Sequence, residues 1–428
     1  MQFIRIFAVG IVGVSVQACR DAGARTTLSE PETVSASTTV GAAPMFALSP
    51  SSKRAVAWVS APGGGTDGRL YVSAGGPPSE LRDSLGPIEP HGEAPPKLAY
   101  APDGSLYALY AVAKVVPGRR FPMSSLRLAK SADDGQTWTS PVTIASDSAF
   151  GTRNFHALHA GSDGALYVAW LEASQGKSKT FLTRSTDAGT TWSTPALADT
   201  AQSCPCCRTA IATARDGTLY LAWRTVLPGN VRDVVVARST DHGATWATPV
   251  RVHEDNWVFD GCPHAGPSMQ VDSSGMVHIA WWTGKQGAAG TWYARSTDKA
   301  ASFEAPVALG VGEFSAPAHV QLALGPDRTV VAVWDDGTVK TPKVVMRVSH
   351  DNGRSFSEPT LVSSEGRAAT FPVLALRDKD VTIAWSEQSH AEHDHAKEMA
   401  PNMKDPKAVK GLSSVGESAV RVRTGRLQ

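Results

Sequence analysis

The octapeptide STDAGTTW, residues 185–192, returns four more times along the chain: SADDGQTW at 131–138, STDHGATW at 239–246, STDKAASF at 296–303 and SHDNGRSF at 349–356. The third residue is Asp in every copy, the fifth is Gly in four of five, and the last is Trp or Phe. Each residue type has a physical task. Asp accepts hydrogen bonds from the amides of its own turn, Gly supplies a positive φ, and the aromatic ring inserts into a sheet as the next strand begins. The copies lie about fifty to sixty residues apart, a period of the size that marks a propeller blade.

Outward from the octapeptide, the rest of the period repeats too. Before each copy stands a turn followed by an apolar run ending in Trp: SDGALYVAW to Trp170, RDGTLYLAW to Trp223, SSGMVHIAW to Trp281 and PDRTVVAVW to Trp334, with RDKDVTIAW to Trp385 in a final unit. Diverged versions end at Trp58 and near Tyr110, which brings the units to seven. Third strands read TFLTR, VVVAR, TWYAR and VVMRV, and outer strands WSTPALA, WATPVRV, FEAPVAL and FSEPTLV. The last unit has an inner strand at 371–376, a buried strand at 381–385 and a third strand at 419–423, but no outer strand. LSEPETVS at 28–35 matches FSEPTLVS at 356–363, so the N-terminal segment is expected to close the last blade and leave no open sheet edge.

The octapeptide resembles the Asp-box, or BNR repeat, of the sialidase superfamily. The resemblance implies an all-β fold, a β-propeller of four-stranded antiparallel blades. Seven blades are predicted here, with the six of the sialidases as the alternative. It also implies that Asp133, Asp187, Asp241, Asp298 and Asp351 are structural turn residues.

Composition agrees with that fold and excludes others. Forty-one Lys and Arg against 40 Asp and Glu leave a net charge of +1, which gives no electrostatic footprint for nucleic acid. The 38 Gly and 28 Pro suit many short strands joined by tight turns. At the N-terminus, Arg5 precedes an apolar stretch at 6–16 that is too short to span a bilayer. It ends at Val16-Gln17-Ala18-Cys19, which resembles a bacterial lipobox with Cys19 as the lipidated residue. The expected organisation is a signal segment at 1–19, a linker at 20–26 and one propeller domain at 27–428 with a His/Met-rich loop at 387–411. The expected location is the cell envelope or periplasm, with membrane contact only through the lipid.

Propeller ligands bind on the face opposite the boxes, where the connections between blades and from second to third strands emerge. Those connections collect His91 and Glu93; Arg153, Asn154 and His156; Cys204, Cys206, Cys207 and Arg208 in SCPCCR; and His253, Asp255, Trp257, Asp260, Cys262 and His264 in HEDNWVFDGCPHAGPS. Glu313 and His319 follow, and the segment 387–403 holds His390, His393, His395, Met399 and Met403. Export and four remaining Cys predict at least one disulfide, for instance from Cys262 to Cys204, Cys206 or Cys207. The sharper reading is a transition-metal site built from Cys204, Cys206, Cys207, Cys262, His264, His390, His393 and His395. Thiolate and imidazole ligands favour copper, with zinc as the alternative.

Candidate ligand-binding residues are Arg153, His156, Arg208, Arg224 and His319, and candidate catalytic residues are Arg208, Asp260 and Glu172, with Asp335 as a further possible acid. Sialidases, by the same resemblance, hold a carboxylate with three arginines and use a Tyr with a Glu partner as nucleophile. All seven Tyr here fall in strand-like runs, and the arginine-bearing Phe-Arg-Ile-Pro element is missing; GRRFPM, with Arg119 and Arg120, has another order. The expected function is a sialidase-like exported propeller, non-hydrolytic, that binds a metal or ligand through its top loops. The alternatives are an exo-sialidase type of glycoside hydrolase and a disulfide-stapled envelope scaffold for a protein partner.

Overall fold

The computed structural model describes residues 26–35, 39–62, 68–89, 91–118, 122–144, 150–174, 177–388 and 418–428. Seven antiparallel sheets of four main strands follow one another along the chain, and no helix occurs among the described residues. The blades begin at inner strands Thr39–Leu48, Lys97–Tyr100, Asn154–Ala160, Ala210–Thr213, Ser268–Val271, Val320–Leu324 and Ala369–Arg377. In the fourth blade a short segment, Gln202–Ser203, also pairs with the second strand, Leu219–Val226.

The last blade is closed as the sequence predicts. Ser418–Arg426 pairs on one side with Asp380–Gln388 and on the other with Thr27–Leu28 and Glu32–Thr33. Chain segments nearly four hundred residues apart in sequence thus complete one sheet.

The core lies between blades. Trp58, Trp170, Trp223, Trp281, Trp334 and Trp385 lie within the second strands and are buried. Each sits beside a small or β-branched residue on the same strand, as in Ala169, Ala222, Ala280, Val333 and Ala384, all wholly buried. Alternating large and small side chains let neighbouring sheets interlock at crystal-like density.

The boxes occupy the turns between third and outer strands. In the copy at 185–192, Asp187 Oδ1 accepts from Ser185 Oγ at 2.8 Å and from the Thr191 amide at 2.9 Å, and the Ser185 hydroxyl accepts the Gly189 amide at 2.9 Å. The same bonds recur in the other four copies. Two consecutive residues are left-handed, Ala188 at φ 59° and Gly189 at 85°. In the fourth copy Ala300 adopts φ 61° where the others carry Gly.

Candidate functional site

The top-face loops between outer and inner strands converge on the funnel. Three non-glycine residues where the inner strands begin have left-handed backbones: Phe155 at φ 53°, His264 at 55° and Phe371 at 54°. Such conformations persist only where surroundings enforce them. Here they turn rings onto a common floor: Phe155 lies 5.6 Å from the ring of His91 and 6.3 Å from His264, and Phe371 lies 4.4 Å from His319. Gly92 is required beneath Phe371, since a Cβ there would come within 2.6 Å of that ring.

A charged network crosses the floor. His319, before the sixth inner strand, has Nδ1 2.7 Å from Asp335 Oδ2 and Nε2 2.7 Å from Glu93 Oε2 of the second blade. The main-chain amide of His319 donates to the other Asp335 oxygen, and the Phe371 amide donates to Asp335 Oδ2 at 3.1 Å. Burial alone would push the imidazole down, but the carboxylates of Asp335 and Glu93 overcome it and raise His319 to about 9. Burial would raise Glu93, and the His319 charge instead holds it at about 2. The other two histidines behave oppositely. Burial lowers His91 to about 4 and His156 to about 3, so both rings are neutral at pH 7.

The cysteines form the second feature. Cys204, Cys206 and Cys207 are buried, with Cys204 Sγ 3.7 Å from Cys206 Sγ and 3.2 Å from Cys207 Sγ. Their three sulfurs lie within 4.8 Å of one another, and so do the donor atoms of Cys206, Cys262 and His264. Cys262 is exposed and His264 half-buried, so the second set opens to the top face. The expected disulfide is not found: none of these four Cys is bridged to another. At 3.2 and 3.7 Å the sulfurs stand well beyond the roughly 2.05 Å of an S–S bond. A shared tetrahedral ion about 2.3 Å from each thiolate would set two sulfurs about 3.8 Å apart, which the Cys204–Cys206 pair meets and the closer Cys204–Cys207 pair does not.

Guanidinium groups surround this cluster. Arg232 Nη1 donates to Cys204 Sγ at 3.5 Å and its Nε to Asn230 Oδ1 at 3.1 Å. Arg224, wholly buried, donates to the carbonyls of Arg232, Ala265 and Trp282 at 2.7, 3.0 and 2.5 Å, and lies over the Trp257 ring at 5.5 Å. Arg224 therefore ties the fourth blade to the fifth through main-chain acceptors. Arg208 is buried, and its Nη2 has no hydrogen-bond partner. Gly266 packs against its backbone so closely that a Cβ would meet the Arg208 carbonyl at 2.2 Å. Thiol donors from Cys206 and Cys207, then the charges of Arg224 and Arg232, hold Cys204 well below the ordinary thiol range against its burial. Burial, in contrast, pushes Cys206 and Cys207 up.

The remaining predicted residues are more scattered. Arg153 Nε pairs with Glu172 Oε2 at 3.1 Å, and that carboxylate also accepts the Trp170 indole at 2.9 Å. Asp260 is exposed and accepts from Asn230 Nδ2 at 3.3 Å. His253 and Asp255 pair at 2.9 Å on the rim. Cys19, Arg119 and Arg120, and His390, His393, His395, Met399 and Met403 lie outside the described residues. Sequence reasoning passed over Phe155, Phe371 and Lys97. Lys97 opens the second inner strand, is buried, and is pushed well below its ordinary range by burial and by Arg208. A signal was present for the buried charges: Arg224 and Asp335 each directly follow the Trp that closes the repeated apolar run, and so continue the same buried strand.

Ring and loops define a seven-bladed propeller of the Asp-box kind, with a thiol- and imidazole-bearing top face. Residues 88–257 match the BNR repeat-like domain, so the chain carries that domain across its second to fourth blades. Among solved structures, the fold is similar to a protein of unknown function from Dyadobacter fermentans DSM 18053 at 12% identity, covering 94% of this chain and 99% of that one with a TM-score of 0.53. It is also similar to the Hadza microbial sialidase Hz136 at 17% identity, covering 86% and 76% with a TM-score of 0.50. A polysaccharide lyase, the PL25 ulvan lyase, is similar at 12% identity, covering 84% and 93% with a TM-score of 0.56. At these identities the likeness is one of fold. No protein of curated function matches the chain.

Proposed function

We propose that this is an exported, lipid-anchored propeller that binds a thiophilic transition metal on its top face, copper first and zinc second. The supporting observation is the meeting of five soft or nitrogen donors from two blades with three buried guanidiniums. Arg224 and Arg232 bond to carbonyls, an amide oxygen and a sulfur, while Arg208 feels the charges of Glu93 and Asp335. A disulfide is neutral and would leave Arg224 and Arg232 without a counter-charge, whereas a polythiolate metal complex is anionic and compensates them. Soft thiolates with an imidazole select copper or zinc over hard cations. The His-rich segment at 387–411 is the natural accessory for delivery.

The test is anaerobic loading of the reduced full-length protein with copper(I) or zinc, followed by desalting and elemental analysis. Retention of at least one ion per chain, lost in Cys206→Ser, is expected. A reduced protein that retains neither metal overturns the reading.

A second reading has its own support. Glu93, His319, Asp335 and Arg208 bring acid, base and cation together on the funnel floor, and a sialidase and an ulvan lyase are among the proteins of similar fold. Against the sialidase form, all seven Tyr lie in strands, and several hydroxyls are engaged there, as in Tyr110 with Asp83 and Tyr293 with His278. Turnover of a fluorogenic sialoside or a uronate polymer that vanishes in Glu93→Gln would establish this second reading; no turnover on either removes it.

A further inference from the structure

The two donor sets share one residue. Cys204, Cys206 and Cys207 form one group with donor atoms within 4.8 Å, and Cys206, Cys262 and His264 form the other. We propose that the centre is binuclear: one copper(I) ion in the buried all-sulfur set, a second in the open set, and the Cys206 thiolate bridging them. The proposal rests on the metal-binding reading above and says what that site holds.

Three features support two ions over one. Each set supplies three donors, which suits copper(I), an ion content with three soft ligands, and not zinc, whose closed sites take four. A thiolate sulfur has lone pairs enough to bind two soft ions at once. The charge balance agrees, because two copper(I) ions with four thiolates carry a net negative charge that Arg208, Arg224 and Arg232 are placed to offset.

The sets also differ in access. The inner set comes from one loop in which Cys204 is 0%, Cys206 4% and Cys207 1% exposed, sealed behind Arg232. The outer set has Cys262 on the surface and His264 half-buried on the funnel side. His264 Nδ1 is buried and has no hydrogen-bond partner, and its left-handed backbone turns the ring to the floor. An ion in the outer set can exchange with solvent, and Cys206 passes it to the inner set. Loading moves no electrons. Each thiol that becomes a ligand gives its proton to solvent as its sulfur bonds to copper(I).

The experiment is an anaerobic copper(I) titration of the reduced full-length protein, then release to an excess of a chromophoric copper(I) chelator. The wild-type chain is expected to bind two equivalents and release them in two phases of equal amplitude, with the slow phase at least tenfold slower. Cys262→Ser and His264→Ala should keep one equivalent and lose the fast phase, and Cys206→Ser should lose both sites. X-ray absorption on the loaded wild type should show sulfur-dominated coordination with copper–copper scattering, a readout that needs no variant to fold. One equivalent released in one phase, or no copper–copper scattering at two equivalents, overturns the binuclear centre while leaving metal binding intact. No retained copper at all overturns the metal-binding reading itself.

Discussion

The two faces of the ring are built on opposite principles. On the box face, five turns repeat the same Asp, Ser and left-handed geometry, and each Asp and Ser side chain is bonded within its own turn. On the top face no two loops agree, Arg224 and Arg232 bond to carbonyls, an amide oxygen and a sulfur, and partners are drawn from blades across the ring, as with Glu93 and His319. Repetition builds the frame. Chemistry is concentrated where the repeat breaks down, on loops carried by a rigid scaffold.

That contrast can be broken by mutation. The largest effect is expected on the top face: Arg224→Ala would leave three buried carbonyls without their donor and should cost about 3 kcal/mol or more, read as a lowered midpoint in chemical denaturation. Loss no larger than that of a box variant would contradict its role as an interblade tie.

Next comes a pH effect confined to the cross-ring network. His319 is raised from 6.5 to about 9, so its contribution is complete below 6.5 and is lost as pH rises through 9. Glu93 is lowered from 4.5 to about 2, so its contribution is complete above 4.5 and is lost as pH falls through 2. Stability should therefore peak between pH 4.5 and 6.5 and fall toward pH 10, with about 3 kcal/mol at stake from the shared interaction. His319→Gln should flatten the alkaline limb of a pH series of thermal melts.

Smaller effects are expected from the boxes. Asp187→Ala and Asp241→Ala should each lower the melting temperature by roughly 1–2 °C, by equal amounts, and the double variant should show their sum. Unequal or non-additive losses would show that the turns are not interchangeable. The smallest effect carries the opposite sign: Lys97→Met removes a buried ammonium that has no carboxylate partner and should leave stability unchanged or raise it by up to about 1 kcal/mol.

The same asymmetry governs what the sequence reveals. A box is a local device whose bonds span four residues, so five copies announce themselves, and blade count and strand closure follow from the period. The cysteines were visible as loop composition, but composition could not show that three of their sulfurs meet unbridged beside Arg232; that takes the sulfur spacing and the guanidinium contact. The Glu93–His319–Asp335 network contains a direct bond between residues 226 positions apart and has no periodic signature. Phe155 and Phe371 were hidden because their left-handed backbones break the strand pattern that a Phe ordinarily supports.

The shared last blade also sets an order of events during folding. Thr27–Leu28 and Glu32–Thr33 have no sheet partner until Ser418–Arg426 is in place, so the ring shuts only when its first and last blades meet. Such non-local pairing carries a large loop-closure entropy and slows the final step. Once formed, the same seam works as a latch: pulling the N-terminal end away from the ring must shear the strand that holds first and last blades together before any other blade can open.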